Sequence, residues 1–238
     1  MLEERRALLA ALFEGPLASN ATVTSDAAVA TVASDLSDDA LRVFTEEEAY
    51  VAEAAPARRR EFRAGRACAH AALAALGVPV VPVLRGAGRE PLWPAGIVGC
   101  ITHTAGFCAA ALAHSSTYQG VGLDAELDEP VTAQFVNRVC SEKEREQLRR
   151  FGPLEHWANV VFSAKESIHK LQYPLSRQTL YWHDLEISLE APRVDAPVAT
   201  FWARFLSDAP PFRTGTRLQG RWSKAAGLVL SGCVFTRG

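Results

Sequence analysis

The sequence predicts an α+β chain folded as two lobes, and three observations carry that prediction. Two long stretches, about 56–76 and about 154–172, repeat apolar residues at helical spacing. Each is accompanied by short apolar runs bounded by Gly, Pro and Thr, the pattern of antiparallel strands. The junction between the two sets falls near 117–120, dividing the chain into residues 1–118 and 119–238. At 238 residues the chain can bury one substantial core or two smaller ones packed together.

Residues 3–13 open the first lobe as a helix, followed by strand-like runs at 22–24 and 27–33. Thr45 with Glu48 forms a Thr-x-x-Glu capping box that opens a helix at Glu46. Pro56 suits the first turn of the next helix, which runs to about Leu76 and stops before Gly77. Phe62, Ala69, Leu73 and Leu76 are its core stripe, and Arg59, Arg63 and Arg66 share the opposite side. Residues 86–99, rich in Gly and Pro, read as a loop. The runs 99–102 and 107–113 read as paired strands joined by a turn at 104–106, and 118–126 as another strand. Helices follow at 132–149 and 154–172. Ser141 and Glu144 repeat the capping box inside the first of them, which predicts a break near Cys140. From Leu180 on, strand-like runs at 185–189, 199–205, 217–222 and 227–235 alternate with turns.

Composition excludes several function classes. A net charge of −2 is not that of a general polyanion binder, so no nucleic-acid partner is expected. The longest apolar stretches, 77–84 and 108–113, fall well short of the ~20 residues a bilayer span needs, so no membrane partner is expected. The charged start reads as a helix and not as a signal peptide. Five scattered cysteines without a Cys-x-x-Cys pair predict reduced, buried thiols, no zinc site and a cytoplasmic location. Positive charge is concentrated in Arg58, Arg59, Arg60, Arg63 and Arg66, with Arg85 and Arg89 soon after. Such a block is either a solvated helix face or a local phosphate pocket, and composition does not choose between them.

Three segments carry chemistry. The strand 120–126 ends in Asp124-Ala-Glu126, and period two puts both carboxylates on one face. Adjacent carboxylates repel and raise each other's pKa, unless a hard cation such as Mg²⁺ sits between them. Taken alone, the pair also reads as two solvated acids at a strand end. The helix 157–171 has an apolar stripe of Trp157, Val161, Ala164, Ile168 and Leu171, with Glu166 and Lys170 at i, i+4 on another face. That pair is either a surface ion pair of little energetic weight or a third metal ligand beside a phosphate contact. Thr102-His103-Thr104 places a polar triplet at the end of an apolar strand, where a histidine is often a structural hydrogen bonder.

In this order and spacing the three segments resemble the Sfp/EntD-type 4′-phosphopantetheinyl transferases. The elements are Thr102-His103-Thr104, Gly122-Leu-Asp124-Ala-Glu126, and Phe162-Ser-Ala-Lys165-Glu166-Ser-Ile-His-Lys170. Upstream, Arg58–Arg66 with Glu61-Phe62 and Cys68-Ala, and the loop from Gly88 to Pro94, extend the likeness over roughly residues 55–175. The resemblance implies two pseudosymmetric lobes with coenzyme A in the cleft between them. It further implies Mg²⁺, with Mn²⁺ as a substitute, held by Asp124, Glu126 and Glu166. It gives Arg58, Arg66, Arg89 and His103 to the nucleotide phosphates, with Arg85 a competitor for the role of Arg89. Lys165 and Lys170 are assigned to phosphate oxygens, and Glu166 and Lys170 to catalysis. The implied partner is an apo carrier protein, acyl, aryl or peptidyl, docking near segment 132–150 of a monomer. Two other functions fit parts of the pattern: a non-catalytic coenzyme A or nucleotide binder of the same fold, and a Mg²⁺-dependent phosphohydrolase.

Overall fold

A computed structural model describes residues 1–14, 29–34, 43–191, 193 and 196–236. It is a mixture of helices and antiparallel sheet, in agreement with the predicted α+β class. The helices are α1 (Leu2–Ala11), α2 (Thr45–Glu48), α3 (Pro56–Ala75), α4 (Ala133–Val139), α5 (Glu142–Leu148) and α6 (Leu154–Ser176). The strands are β1 (Ala30–Ser34), β2 (Leu84–Arg85), β3 (Pro91–Leu92), β4 (Ile97–Thr104), β5 (Phe107–His114), β6 (Tyr118–Leu127), β7 (Leu185–Leu189), β8 (Ala199–Phe205), β9 (Arg217–Ala225) and β10 (Leu228–Thr236). Among the described residues no helix is long and apolar enough to cross a membrane. All five cysteines are free and buried.

Two larger sheets organise these elements. One has the order β1-β5-β4, the other β6-β10-β9-β8-β7, and every pairing is antiparallel. β5 is buried on both faces, so its period-two alternation feeds two cores. Cys108, Ala110 and Leu112 face α3, while Phe107, Ala109, Ala111 and Ala113 join α1, β6 and β10. A third core fills the space between α6, α4, α5 and the five-stranded sheet. β4 lies beside β6, and side chains stitch the two: Cys100 Sγ donates to Leu123 O, and Ala125 N donates to Thr102 Oγ1 at 3.1 Å.

Local signals read from sequence hold at several points and fail at two. α3 begins at Pro56 and ends before Gly77, whose φ of +70° suits a residue without Cβ. The predicted break at Cys140 is real, and Ser141 with Glu144 forms the capping box that opens α5. At α2 the reach-back carboxylate is Glu47, not Glu48: Phe44 N donates to Glu47 Oε2 at 3.0 Å. Glu48 instead pairs with Arg63 at 2.5 Å, because the two elements pack side by side. The loop 86–99 also contains the small β2–β3 ladder. The strand-like run 22–24 and the start of 27–33 lie outside the described residues.

Candidate active site

β6 and α6 meet because β6 carries glycine where the helix crosses it. Gly120, Gly122, Asp124 and Glu126 share one face of the strand by period two. A Cβ on Gly122 would come within 2.0 Å of Ser167 O, and one on Gly120 within 3.1 Å of Leu171. The backbone of α6 therefore rests on the glycine half of the strand, and the carboxylate half emerges beside Glu166 and Lys170.

Lys170 Nζ donates to Asp124 Oδ1 at 2.6 Å and to Thr102 Oγ1 at 3.1 Å. Burial works against the lysine's charge, but Asp124 outweighs it and holds the lysine pKa above its usual value. Asp124 is buried, at 3% exposure, and its second oxygen, Oδ2, has no hydrogen-bond partner. The carboxyl of Glu126 is pushed up to about 7, first by burial and then by the charges of Asp124 and Glu166, against the opposing pull of Lys170. Glu166 is half-buried and accepts from Trp182 Nε1 at 3.2 Å.

A basic hollow of about 170 Å³ opens beside this cluster. Arg58, Arg66, Arg85, Arg89 and His103 line it, together with Glu61. Arg66 is 6% exposed, lies over the Phe62 ring at 4.5 Å, and approaches Glu47 at 3.9 Å. Arg58 Nη1 is 3.0 Å from His103 Nε2. Burial, helped by Arg58 and Lys170, lowers the His103 pKa against the pull of Glu61, which favours the neutral ring. A second hollow of about 200 Å³ is lined by Gly88, Arg89, His169, Lys170 and Tyr173. Arg89, Pro91 and Ile101 line both, so the two hollows share a wall.

Comparison with known proteins bears on this arrangement. Residues 46–113 match the 4′-phosphopantetheinyl transferase N-terminal domain, and residues 120–214 match the 4′-phosphopantetheinyl transferase superfamily. The 4′-phosphopantetheinyl transferase Svp of Streptomyces mobaraensis is 40% identical over 204 residues, 83% of this chain and 80% of its own. The 4′-phosphopantetheinyl transferase PptT of Mycobacterium tuberculosis is 36% identical over 221 residues, 90% of this chain and 95% of its own. The chain belongs to the 4′-phosphopantetheinyl transferase superfamily. A partial match to Enterobactin synthase component D of Salmonella typhi, 34% identical over 116 residues, covers 48% of this chain and 47% of that one.

The transferase family implies magnesium, and the donor set of this transferase suits it. The ion prefers carboxylate oxygens, and Asp124 Oδ2 is a buried oxygen without a partner. Among the described residues no three His, Cys, Asp or Glu side chains form a ready cage. Lys170 engages Asp124 and Trp182 engages Glu166. Mg²⁺ commonly takes only one or two protein carboxylates and completes its shell with water and substrate phosphate, so a partial set fits it.

The structure brings Arg58, Arg66, Arg89 and His103 to one hollow, and Asp124, Glu126, Glu166 and Lys170 to its neighbourhood. Lys165 is not among them. Its side chain is 1% exposed and donates to Val139 O and Glu144 Oε2, each at 2.9 Å. The physical reason is helical spacing: a residue next to Glu166 points about 100° around the helix, here into the α4–α5 junction. The same geometry corrects the arginine stripe. Arg58, Glu61 or Phe62, and Gly65 or Arg66 face the hollow, while Arg63 turns to Glu48. Trp182 and Glu47 contact site residues without any sequence signal, because each arrives from another element. Tyr173 lies on α6 itself, one turn beyond Lys170, and lines the second hollow.

Proposed function

We propose that the chain, a transferase by family, moves the 4′-phosphopantetheine arm of coenzyme A onto a serine of an apo carrier protein. The adjacency of the two hollows carries this reading. Four arginines line one hollow, and Lys170, ion-paired with Asp124, lines its neighbour; coenzyme A has an isolated 3′-phosphate at one end of its nucleotide and a pyrophosphate at the other. Arg58, Arg66 and Arg89, with Arg85 beside them, bind the 3′-phosphate through guanidinium forks. His103, as a neutral ring, hydrogen-bonds a nucleotide phosphate. Lys170 remains cationic and neutralises pyrophosphate oxygens, including those of the leaving group.

Magnesium, or manganese in its place, would be held by Asp124, Glu126 and Glu166 and supplies charge neutralisation on the transferring phosphoryl oxygens. The serine oxygen bonds to the β-phosphorus, the bond from that phosphorus to the bridging oxygen breaks, and 3′,5′-ADP departs. Glu166 takes the serine proton.

The architecture proposed around this site is two pseudosymmetric lobes, 1–118 and 119–238. Supporting it, α3 lies on one antiparallel sheet and α6 on the other, with β4 beside β6. We place the enzyme in the cytoplasm as a monomer acting on acyl, aryl or peptidyl carriers. Siderophore assembly is a candidate pathway because one relative bears the name Enterobactin synthase component D. Product analysis tests the reading against phosphohydrolysis. Transfer releases 3′,5′-ADP only with an apo carrier present, in equal amount to modified carrier. Release of 3′,5′-ADP without any carrier would favour the hydrolase.

A further inference from the structure

The loop that carries Arg89 is held from outside the basic hollow, by the last turn of α6. Arg89 itself has a left-handed backbone, φ +69°, a conformation that a non-glycine residue adopts only where its surroundings impose it. Within the loop, Gly86 N donates to Glu90 O at 2.8 Å and Arg89 N to Gly86 O at 3.0 Å. The Glu90 carboxylate folds back over Gly86, where an added Cβ would come within 2.1 Å of it. That carboxylate is 8% exposed, its Oε2 has no hydrogen-bond partner, and its Oε1 is ion-paired with Arg177. Arg177 is the residue that ends α6, with φ +57°. One turn earlier, Tyr173 abuts the loop so closely that a Cβ on Gly88 would lie 1.9 Å from its hydroxyl oxygen. Arg89 is thus flanked by two residues, Gly88 and Glu90, that α6 touches directly.

We infer that Arg177, through its ion pair with Glu90, is a positioning residue that fixes Arg89 for the 3′-phosphate of coenzyme A. This rests on the proposed placement of the nucleotide in the basic hollow. The same helix supplies Glu166 and Lys170, so one rigid element sets both the reacting end and the nucleotide end of the cleft.

Arg177→Gly is the informative variant. Glycine suits the left-handed helix end, so the fold is kept while the guanidinium is removed. Turnover is measured with coenzyme A and with 3′-dephospho-coenzyme A on the full chain. The expected result is a KM for coenzyme A raised roughly tenfold, the scale of one charge-assisted contact, with kcat within twofold and KM for the dephospho analogue unchanged. Arg177→Lys should restore part of the loss. An unchanged ratio of the coenzyme A KM to the dephospho-coenzyme A KM in Arg177→Gly, with Arg89→Ala raising that ratio, overturns the positioning role alone. Equal KM values for the two substrates in the parent chain overturn the nucleotide placement and the inference with it.

Discussion

Lys170 Nζ lies 2.6 Å from Asp124 Oδ1, an ion pair that joins the helix bearing Glu166 to the strand bearing the other two carboxylates. Thr102 binds the same two side chains and also accepts from Ala125 N, so three elements meet at one polar contact. Lys170→Met should lower kcat by about 10²–10³-fold, the scale for losing one aimed electrostatic contact. Steady-state rates measured beside thermal unfolding check this. A rate within threefold of the parent would remove Lys170 from the catalytic set.

Gly122 is the point where α6 rests on β6. Gly122→Ala puts a methyl group within 2.0 Å of Ser167 O and 2.8 Å of Cys233 Sγ, both inside the packed core. Overpacking of this kind costs about 1–3 kcal/mol. It should also push Glu166 away from β6, so that activity falls by more than the folded fraction does. Denaturant titration and specific activity of the folded protein separate the two effects.

Lys165 is a buried strut. Its ammonium, the Glu144 carboxylate, Ser141 N and Ile187 N form one network joining α6, α5 and β7. Lys165→Met leaves the Glu144 charge buried without its cation, which costs about 3–5 kcal/mol. The Kd of the folded variant for coenzyme A should match the parent, measured by calorimetry. A tenfold weaker Kd would return Lys165 to the phosphate contacts.

Glu47 links stability to pH. Burial opposes its charge, but His70 and the N–H groups of Val83 and Phe44 outweigh burial and hold its pKa below the ordinary 4.5. A depressed folded pKa contributes stability above 4.5 that is lost as pH falls through the folded value. Glu47→Gln should therefore cost about 2 kcal/mol near pH 7, with the gap from the parent narrowing at acid pH. Denaturant unfolding at both pH values checks the sign, and a gap that widens in acid would contradict it.

Much of this architecture was legible because it rests on local periodicity. The α3 and α6 stripes, the capping box at Ser141 and strands such as β7 and β8 follow from spacing within a few residues. The Asp-x-Glu strand was legible for the same reason, since period two alone puts Asp124 and Glu126 on one face. What escaped depends on contacts between distant segments. Glu47 and Glu48 are neighbours, and only the packing of α2 on α3 decides which one caps and which one pairs with Arg63. Lys165 and Lys170 look alike as basic residues of one motif, yet the rotation of α6 sends the first into the core and the second to Asp124. Trp182 reaches Glu166 across 16 positions, a separation that no local pattern encodes.

The intact mass of an apo carrier protein, after incubation with this enzyme, coenzyme A and magnesium, decides whether the phosphopantetheine arm is transferred. The expected result is a gain of one phosphopantetheine group per carrier, absent with Glu166→Gln and abolished by a chelator until magnesium is restored. Unchanged mass across acyl, aryl and peptidyl carriers, from a protein that demonstrably binds coenzyme A, would contradict it.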